Sequence, residues 1–220
     1  LSTVDGEIRI AANGSGIATA GMGLVAIAAG GASGNVLIGS AVSATTGDIT
    51  ITAGGYVSQT ADVSTNSGRV EVDAQGDVTV GGTITAVGDV EITSVSGSIY
   101  TGAIHSQGDV TLTAWGEILR TSGRIESEAL TTVSGGAQIL NTKVKSLDAR
   151  STGAGAIVAT EANGITLTQV KTADGVIDVT AGGNILAEKI TASAGAGGED
   201  NDINLVVSAG DLTVVTINNA

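Results

Sequence analysis

Four segments of this chain begin almost alike: Gly47-Asp-Ile-Thr-Ile-Thr, Gly68-Arg-Val-Glu-Val-Asp, Gly88-Asp-Val-Glu-Ile-Thr and Gly108-Asp-Val-Thr-Leu-Thr. Their first residues lie 21, 20 and 20 apart (68−47, 88−68, 108−88). A fixed period of this size marks a repeat architecture, in which each unit buries its apolar face only by stacking on its neighbours. This constraint comes before any other, because it excludes most globular folds.

The unit Gly68 to Val87 shows what one repeat does. Val70 and Val72 alternate with Glu71 and Asp73, the pattern of a half-buried strand. Gly76 breaks the run, Val78 and Val80 restart it, Gly81-Gly82 break it again, and Ile84 forms a third short apolar site. Glycine suits such corners because it tolerates positive φ and carries no side chain. The order is mostly Gly-Asp, with Gly leading into a strand, whereas a two-residue hairpin would carry Asn-Gly or Asp-Gly between its strands. Ile49, Val70, Val90 and Val110 hold one place in successive units; Ile51, Val72, Ile92 and Leu112 hold another. Like residues over like residues mean parallel strands, coil upon coil, about 4.8 Å apart. The expected fold is all-β: a single-stranded parallel β-helix (β-solenoid) with three short strands per coil. Right-handed crossover is the default for parallel strands.

Composition agrees. Hydrophobic residues make up 42%, but aromatics only 1% and Phe is absent, so the core must be Val, Ile, Leu and Ala. Gly numbers 34, without a three-residue period. Pro is absent, as suits a chain whose N–H groups belong to ladders. The net charge is −13, with no basic patch, which argues against nucleic acid and against an anionic membrane surface. Acidity also keeps a long β surface soluble and discourages lateral pairing. There is no cysteine for a disulfide or a thiolate metal site. No apolar run is long enough to span a bilayer as a helix.

The whole chain, 1–220, reads as one β-helix segment of about ten coils of roughly 20 residues, starting near 6, 23, 47, 68, 88, 108, 128, 155, 175 and 201. Neither end resembles a polar cap, and the segment is read as part of a longer repeat protein. Ile8, Ile10, Ile17 and Met22 are expected inward in the first coil, and Val25, Ile27, Val36, Ile38 and Val42 in the second. Coils are regular over 47–127 and 155–190 and irregular over 128–154. There Leu130, Val133, Ile139 and Val144 are the expected core, and Leu147 has no clear place. Ile157, Ala159, Ile165, Leu167 and Val170, then Ile177, Val179, Ile185 and Ile190, continue the core. An acidic loop over 194–202 precedes a last coil with Ile203, Leu205, Leu212, Val214 and Ile217 inward.

The units Gly88-Asp-Val-Glu-Ile-Thr-Ser…Gly97-Ser-Ile, Gly108-Asp-Val-Thr-Leu-Thr-Ala…Gly116-Glu-Ile and Gly175-Val-Ile-Asp-Val-Thr-Ala-Gly-Gly-Asn-Ile resemble the repeats of filamentous-haemagglutinin-like bacterial exoproteins. The resemblance covers nearly the whole chain, most clearly 47–127 and 155–190. It implies a right-handed parallel β-helix in a large secreted or surface protein, serving as a stalk or adhesive shaft on a bacterial cell. It also implies that the partner is a receptor on a host or bacterial surface, a polysaccharide, or like chains. No export motif of the family stands in this segment.

Candidate sites are few. The Gly-Asp column (Asp48, Asp89, Asp109, with Arg69 in the same place) offers either stacked Ca²⁺ ligands or solvated corner residues, with Arg69 relieving repulsion. A Ca²⁺ site needs six to eight converging oxygens. Glu199, Asp200 and Asp202 of the acidic loop are the better candidates for a hard cation, against the reading of a mobile acidic loop. The pairs Thr50/Thr52, Thr83/Thr85, Thr111/Thr113 and Thr166/Thr168 resemble a threonine array for ice, but Glu71 and Asp73 interrupt it. Glu71 and Asp73 are also the nearest approach to a carboxylate pair for glycoside hydrolysis, with no long loop to build a cleft over them. His105 is the only histidine, expected at the surface. Trp115, Tyr56 and Tyr100 adjoin or lie near glycine corners and offer a sugar- or protein-contact patch, or simply cover the corners. No catalytic residue and no cofactor are assigned, with Ca²⁺ the one ion considered. The expected function is a non-enzymatic structural or adhesive shaft. A carbohydrate-binding or carbohydrate-active β-helix and an end-to-end self-assembling filament subunit are the alternatives.

Overall fold

The inward residues of each repeat are β-branched or alanine at every second position, and their neighbours are polar, so each short run forms a strand with one buried face. The computed structural model describes residues 1–193 and 201–219. They hold 27 strands and no helix. Pairing is parallel throughout, each strand lying between those one turn before and one turn after, so the chain is a β-solenoid.

Three faces result. Ile49–Ala53, Val70–Ala74, Val90–Ser94 and Val110–Ala114 stack in exact register on the first. Val57–Gln59, Val78–Val80, Ile99–Thr101 and Ile118–Arg120 form the second. Val63–Thr65, Thr83–Ala86 and Ala103–Ser106 form the third.

One column measures the whole solenoid. Ala29, Ala53, Ala74, Ser94, Ala114, Ser134, Ser151, Thr172 and Ala192 are successive register partners at the end of the first face, and all are buried. Nine residues make eight turns, or about 38 Å of stacked core at ~4.8 Å per rung. One longer turn flanks each end, from Thr3 to Ala29 and from Ala192 to Asn219. The residues are small because the chain bends here, and a larger side chain would meet the next strand. Hydroxyls at corners have a second task. The Ser94 hydroxyl donates to the Gly76 carbonyl (2.8 Å) and accepts from the Gly97 N–H (3.1 Å). Thr65 and Ser106 act alike on Gly47 and Gly68, and on Gly88 and Gly108.

The segment expected to be irregular holds the tightest turn. Gln138–Ala154 is one 17-residue strand that runs through two bends and contributes to all three faces. Its turn, from Ser134 to Ser151, takes 17 residues (151−134), and no glycine lies between 137 and 152. Register decides which side chains enter. Thr132 lies over Leu112, so Val133 faces out beside Thr113; Ile139 is likewise outward and 46% exposed. These two expected core residues are therefore on the surface, and Thr132, Ser134, Gln138 and Thr142 are inside. Leu130 and Val144 are buried as expected, and Leu147 is fully buried between Leu130 and Leu167.

The polar interior is satisfied. The Thr132 hydroxyl donates to Gln138 Oε1 (2.6 Å), and Gln138 Nε2 donates to Ser134 Oγ (3.0 Å) and, one turn on, to the Arg150 carbonyl (2.9 Å). Glu161, 2% exposed, accepts the N–H groups of Val144 (3.1 Å) and Asn163 (3.0 Å). A buried carboxylate is tolerated when backbone donors replace its water.

This transition also moves the repeat around the solenoid. Ile177 lies over Ile157, which lies over Gln138 and, before it, Ile118 on the second face. The Gly175-Val-Ile-Asp-Val unit thus opens on a different face from Gly108-Asp-Val-Thr-Leu, although the two read alike. At the first coil Met22 is 92% exposed rather than buried, and Ile17 is only half-buried. In the last coil Leu212, Val214 and Ile217 pair with the buried Ile185, Ala187 and Ile190 but are exposed themselves, because the described chain covers them on one side only.

Ile92 is fully buried and Glu91 beside it is exposed. Ile92→Asp should cost at least about 3 kcal/mol in urea unfolding, by placing an unpaired charge in the core. Glu91→Lys should change stability by no more than about 0.5 kcal/mol. Equal effects would contradict the alternation of faces.

Candidate functional site

The repeated Gly-Asp dipeptides are structural interlocks rather than free ligands. Asp48 Oδ1 accepts the N–H of Arg69 (2.9 Å), Asp89 Oδ1 that of Asp109 (2.8 Å), and Asp109 Oδ1 that of Ala129 (3.2 Å). Each carboxylate therefore caps a donor at the same corner one turn later. The second and third corners repeat the device, with Asp77 on Ser98 (2.8 Å) and Asp62 on Thr83 (3.0 Å). Glycine provides the room. A Cβ at Gly108 would strike the Asp89 carboxylate, and one at Gly97 the Asp77 carboxylate. Neither glycine has positive φ; between Gly47 and Ser127 only Gly123 does. Of the two reasons glycine suits these corners, the absence of a side chain applies at most of them, and positive φ only at Gly123. Arg69 does relieve repulsion, pairing with Glu71 (2.9 Å) and lying 3.8 Å from Asp48.

The outer side of the first face carries the densest negative charge. Glu71 is the register partner of both Thr50 and Glu91, and Asp73 that of Thr52 and Thr93. Burial raises the Asp73 carboxyl above its ordinary value of 3.8, and repulsion from Glu71 and Glu91 acts in the same direction. The two carboxylates sit on a flat strand. The same register shows the threonine array interrupted by Glu71, Asp73 and Glu91.

Of the cation candidates, Glu199 and Asp200 lie outside the described residues. Asp202 is exposed, and its carbonyl accepts the Ile177 N–H (2.9 Å). Among the described residues no three His, Asp or Glu side chains converge to hold a metal. On the third face His105, Glu126 and Lys143 are consecutive register partners. Glu126 lies 3.7 Å from His105, 3.8 Å from Lys143 and 3.9 Å from Arg124, so its carboxylate is shared between two cations and the imidazole.

The aromatic residues are not brought together. Tyr100 is half-buried on the second face, between Thr79 and Leu119, and Tyr56 precedes Val57 three turns before Ile118. Trp115 alone borders a groove. Its neighbours are Val95, one turn before, and Gly135, one turn after. A Cβ at Gly135 would strike the Trp115 carbonyl, so that position stays bare. The result is an open groove of about 650 Å³ beside an indole that is 75% exposed, with Thr93, Thr113 and Val133 on one side and Gly153 at its end. The sequence marked Trp115 but not the groove, which depends on residues of four different turns.

The chain matches no protein-family model, no curated protein and no solved structure. No helix among the described residues is long and apolar enough to cross a membrane.

Two substitutions test the corners. Asp109→Ala should cost about 1 kcal/mol by leaving the Ala129 N–H uncapped. Gly108→Ala should destabilise the wild-type background more than an Asp89→Ala background, since removing the carboxylate frees part of the space; additivity in urea melts would refute the interlock. A third tests the acidic face. The folded chain holds the Asp73 proton more tightly than the unfolded chain, so stability is lost as pH rises from the ordinary carboxylate range through the raised value. Asp73→Asn should therefore raise stability at about pH 7 by at most about 1 kcal/mol, reduced by solvent screening, and have little effect at about pH 3.

Proposed function

We propose that this chain is a rigid, non-enzymatic shaft segment of a secreted or cell-surface exoprotein, which spaces or presents a binding element. The observation that carries the reading is the buried column from Ala29 to Ala192, whose members are register partners over eight consecutive turns even where Thr168 is inserted as a bulge. A parallel ladder of this kind resists bending, because every rung is hydrogen-bonded to two neighbours, and its length grows simply with coil number. The Asp and Ser interlocks tie each corner to the next turn, which supports stiffness rather than a moving lid. The acidic outer surface supports a rod that stays apart from other rods. The resemblance of the repeats to filamentous-haemagglutinin-like exoproteins supports secretion or surface display, with a surface receptor or a polysaccharide as partner.

Solution scattering and negative-stain imaging, with and without Ca²⁺, provide the test. Discrete rods about 45–50 Å long are expected for ten rung spacings. Incubation with neutral and acidic polysaccharides should release no reducing ends. A compact particle, or steady release of reducing ends, would overturn the shaft reading.

A further inference from the structure

The groove beside Trp115 has features that a shaft alone does not require. A large apolar side chain that is three-quarters exposed finds no packing role, and an exposed indole costs solubility. The groove crosses four successive turns, from Val95 through Trp115 and Gly135 to Gly153, so it extends about 14 Å along the solenoid axis, three rung spacings. We propose that it binds an uncharged stretch of a glycan chain, with one sugar ring stacked on the Trp115 indole. This inference narrows the polysaccharide partner of the shaft reading and rests on that part of it, while the rod dimensions are tested separately.

Charge selects the ligand class. The lining holds Thr, Ser, Val, Ala, Gly and Trp and no ionisable side chain. The chain around it is −13, and the one cation bordering the wall, Arg150 beside Val133, is already paired with Asp148 (2.8 Å), so an anionic ligand would meet repulsion. A cation would find no carboxylate in the lining. The complement of this surface is neutral.

The chemistry of the walls narrows the class further. A peptide would gain its affinity on a β-protein by pairing with both donors and acceptors of a free backbone edge, but the corner N–H groups here are already paired. Trp115 N–H donates to the Ser94 carbonyl (3.0 Å), Gly135 N–H to that of Ala114 (3.1 Å) and Gly136 N–H to that of Gly116 (2.9 Å). A purely aliphatic ligand would leave the Thr113 hydroxyl unused. That side chain is exposed, and its hydroxyl makes no hydrogen bond to the described residues. A pyranose fits both walls: its C–H face packs on the indole, and its hydroxyls both donate to and accept from Thr113. Sites for small ligands commonly combine an apolar wall with a few polar groups in this way. Gly135 keeps the turn after Trp115 bare, since a Cβ there would strike the Trp115 carbonyl.

Trp115 is the only tryptophan, so emission excited at wavelengths that Tyr56 and Tyr100 do not absorb reports on this groove alone. The full chain would be titrated with cello-, xylo-, manno- and malto-oligosaccharides to millimolar concentration, with an oligogalacturonate as the charged counterpart. At least one neutral oligosaccharide should shift the Trp115 emission saturably, and the oligogalacturonate should not. By calorimetry, Trp115→Ala and Val95→Asp should each weaken that binding about tenfold or more. Both positions are exposed, and unchanged circular dichroism would verify folding. Thr113→Val, which keeps shape and fold, should weaken binding as well. No response to any neutral oligosaccharide, undiminished binding by Trp115→Ala, or preference for the oligogalacturonate would overturn the proposal.

Discussion

The structure depends on the parallel ladder between consecutive turns. Each rung must place its N–H and C=O groups opposite those of the next, so the path of one turn dictates the path of all. Columns of like residues follow. Isoleucine, valine and leucine fill the strand positions, and alanine, serine or threonine fills the position where the first face ends. A coil can gain residues only where its chain leaves the ladder, at a corner. It can lose them only by closing a bend, as in the 17-residue turn from Ser134 to Ser151.

Corners are where a ladder leaves donors unpaired, and this chain treats them uniformly. Aspartate caps an N–H one turn later, glycine clears the turn before it (backbone at Gly68 and Gly88, a carboxylate at Gly97 and Gly108), and serine or threonine bridges two turns. Gly-Asp is therefore a pair whose members serve different turns: the glycine makes room for the turn before it, and the aspartate caps a donor in the turn after it. The same physics governs the polar interior around Gln138 and Glu161. A stretch without corner glycines carries its chain through the bends, and amide and carboxylate side chains hold the backbone groups there.

With the interior and corners committed to structure, variety is left to the outer face and to corner residues that point away. Acidic side chains occupy much of the first and give the surface its charge. Trp115 is the departure from that pattern, an apolar ring at a corner whose next turn supplies only glycine. A groove on a solenoid arises from such a mismatch between adjacent turns rather than from a loop folded over a cleft.

The sequence by itself determined the architecture. The 20-residue period, the two-residue alternation and the recurrence of Val70, Val90 and Val110 suffice for parallel coils, because a ladder requires those regularities and they are local in the chain. It also placed Ile92 inside and Glu91 outside. Only the tertiary structure decided the phase of the irregular stretch. Val133 and Ile139 are apolar yet outward, and Thr132 and Gln138 are polar yet inward, because register with Leu112 and Ile118 overrides the hydropathy of single residues. It likewise decided that Gly175-Val-Ile-Asp-Val opens on the second face, that Gly108 is needed for space, and that Trp115 borders a groove. Each depends on which residues of neighbouring turns lie about 4.8 Å apart, a distance that the order of residues along one turn does not contain.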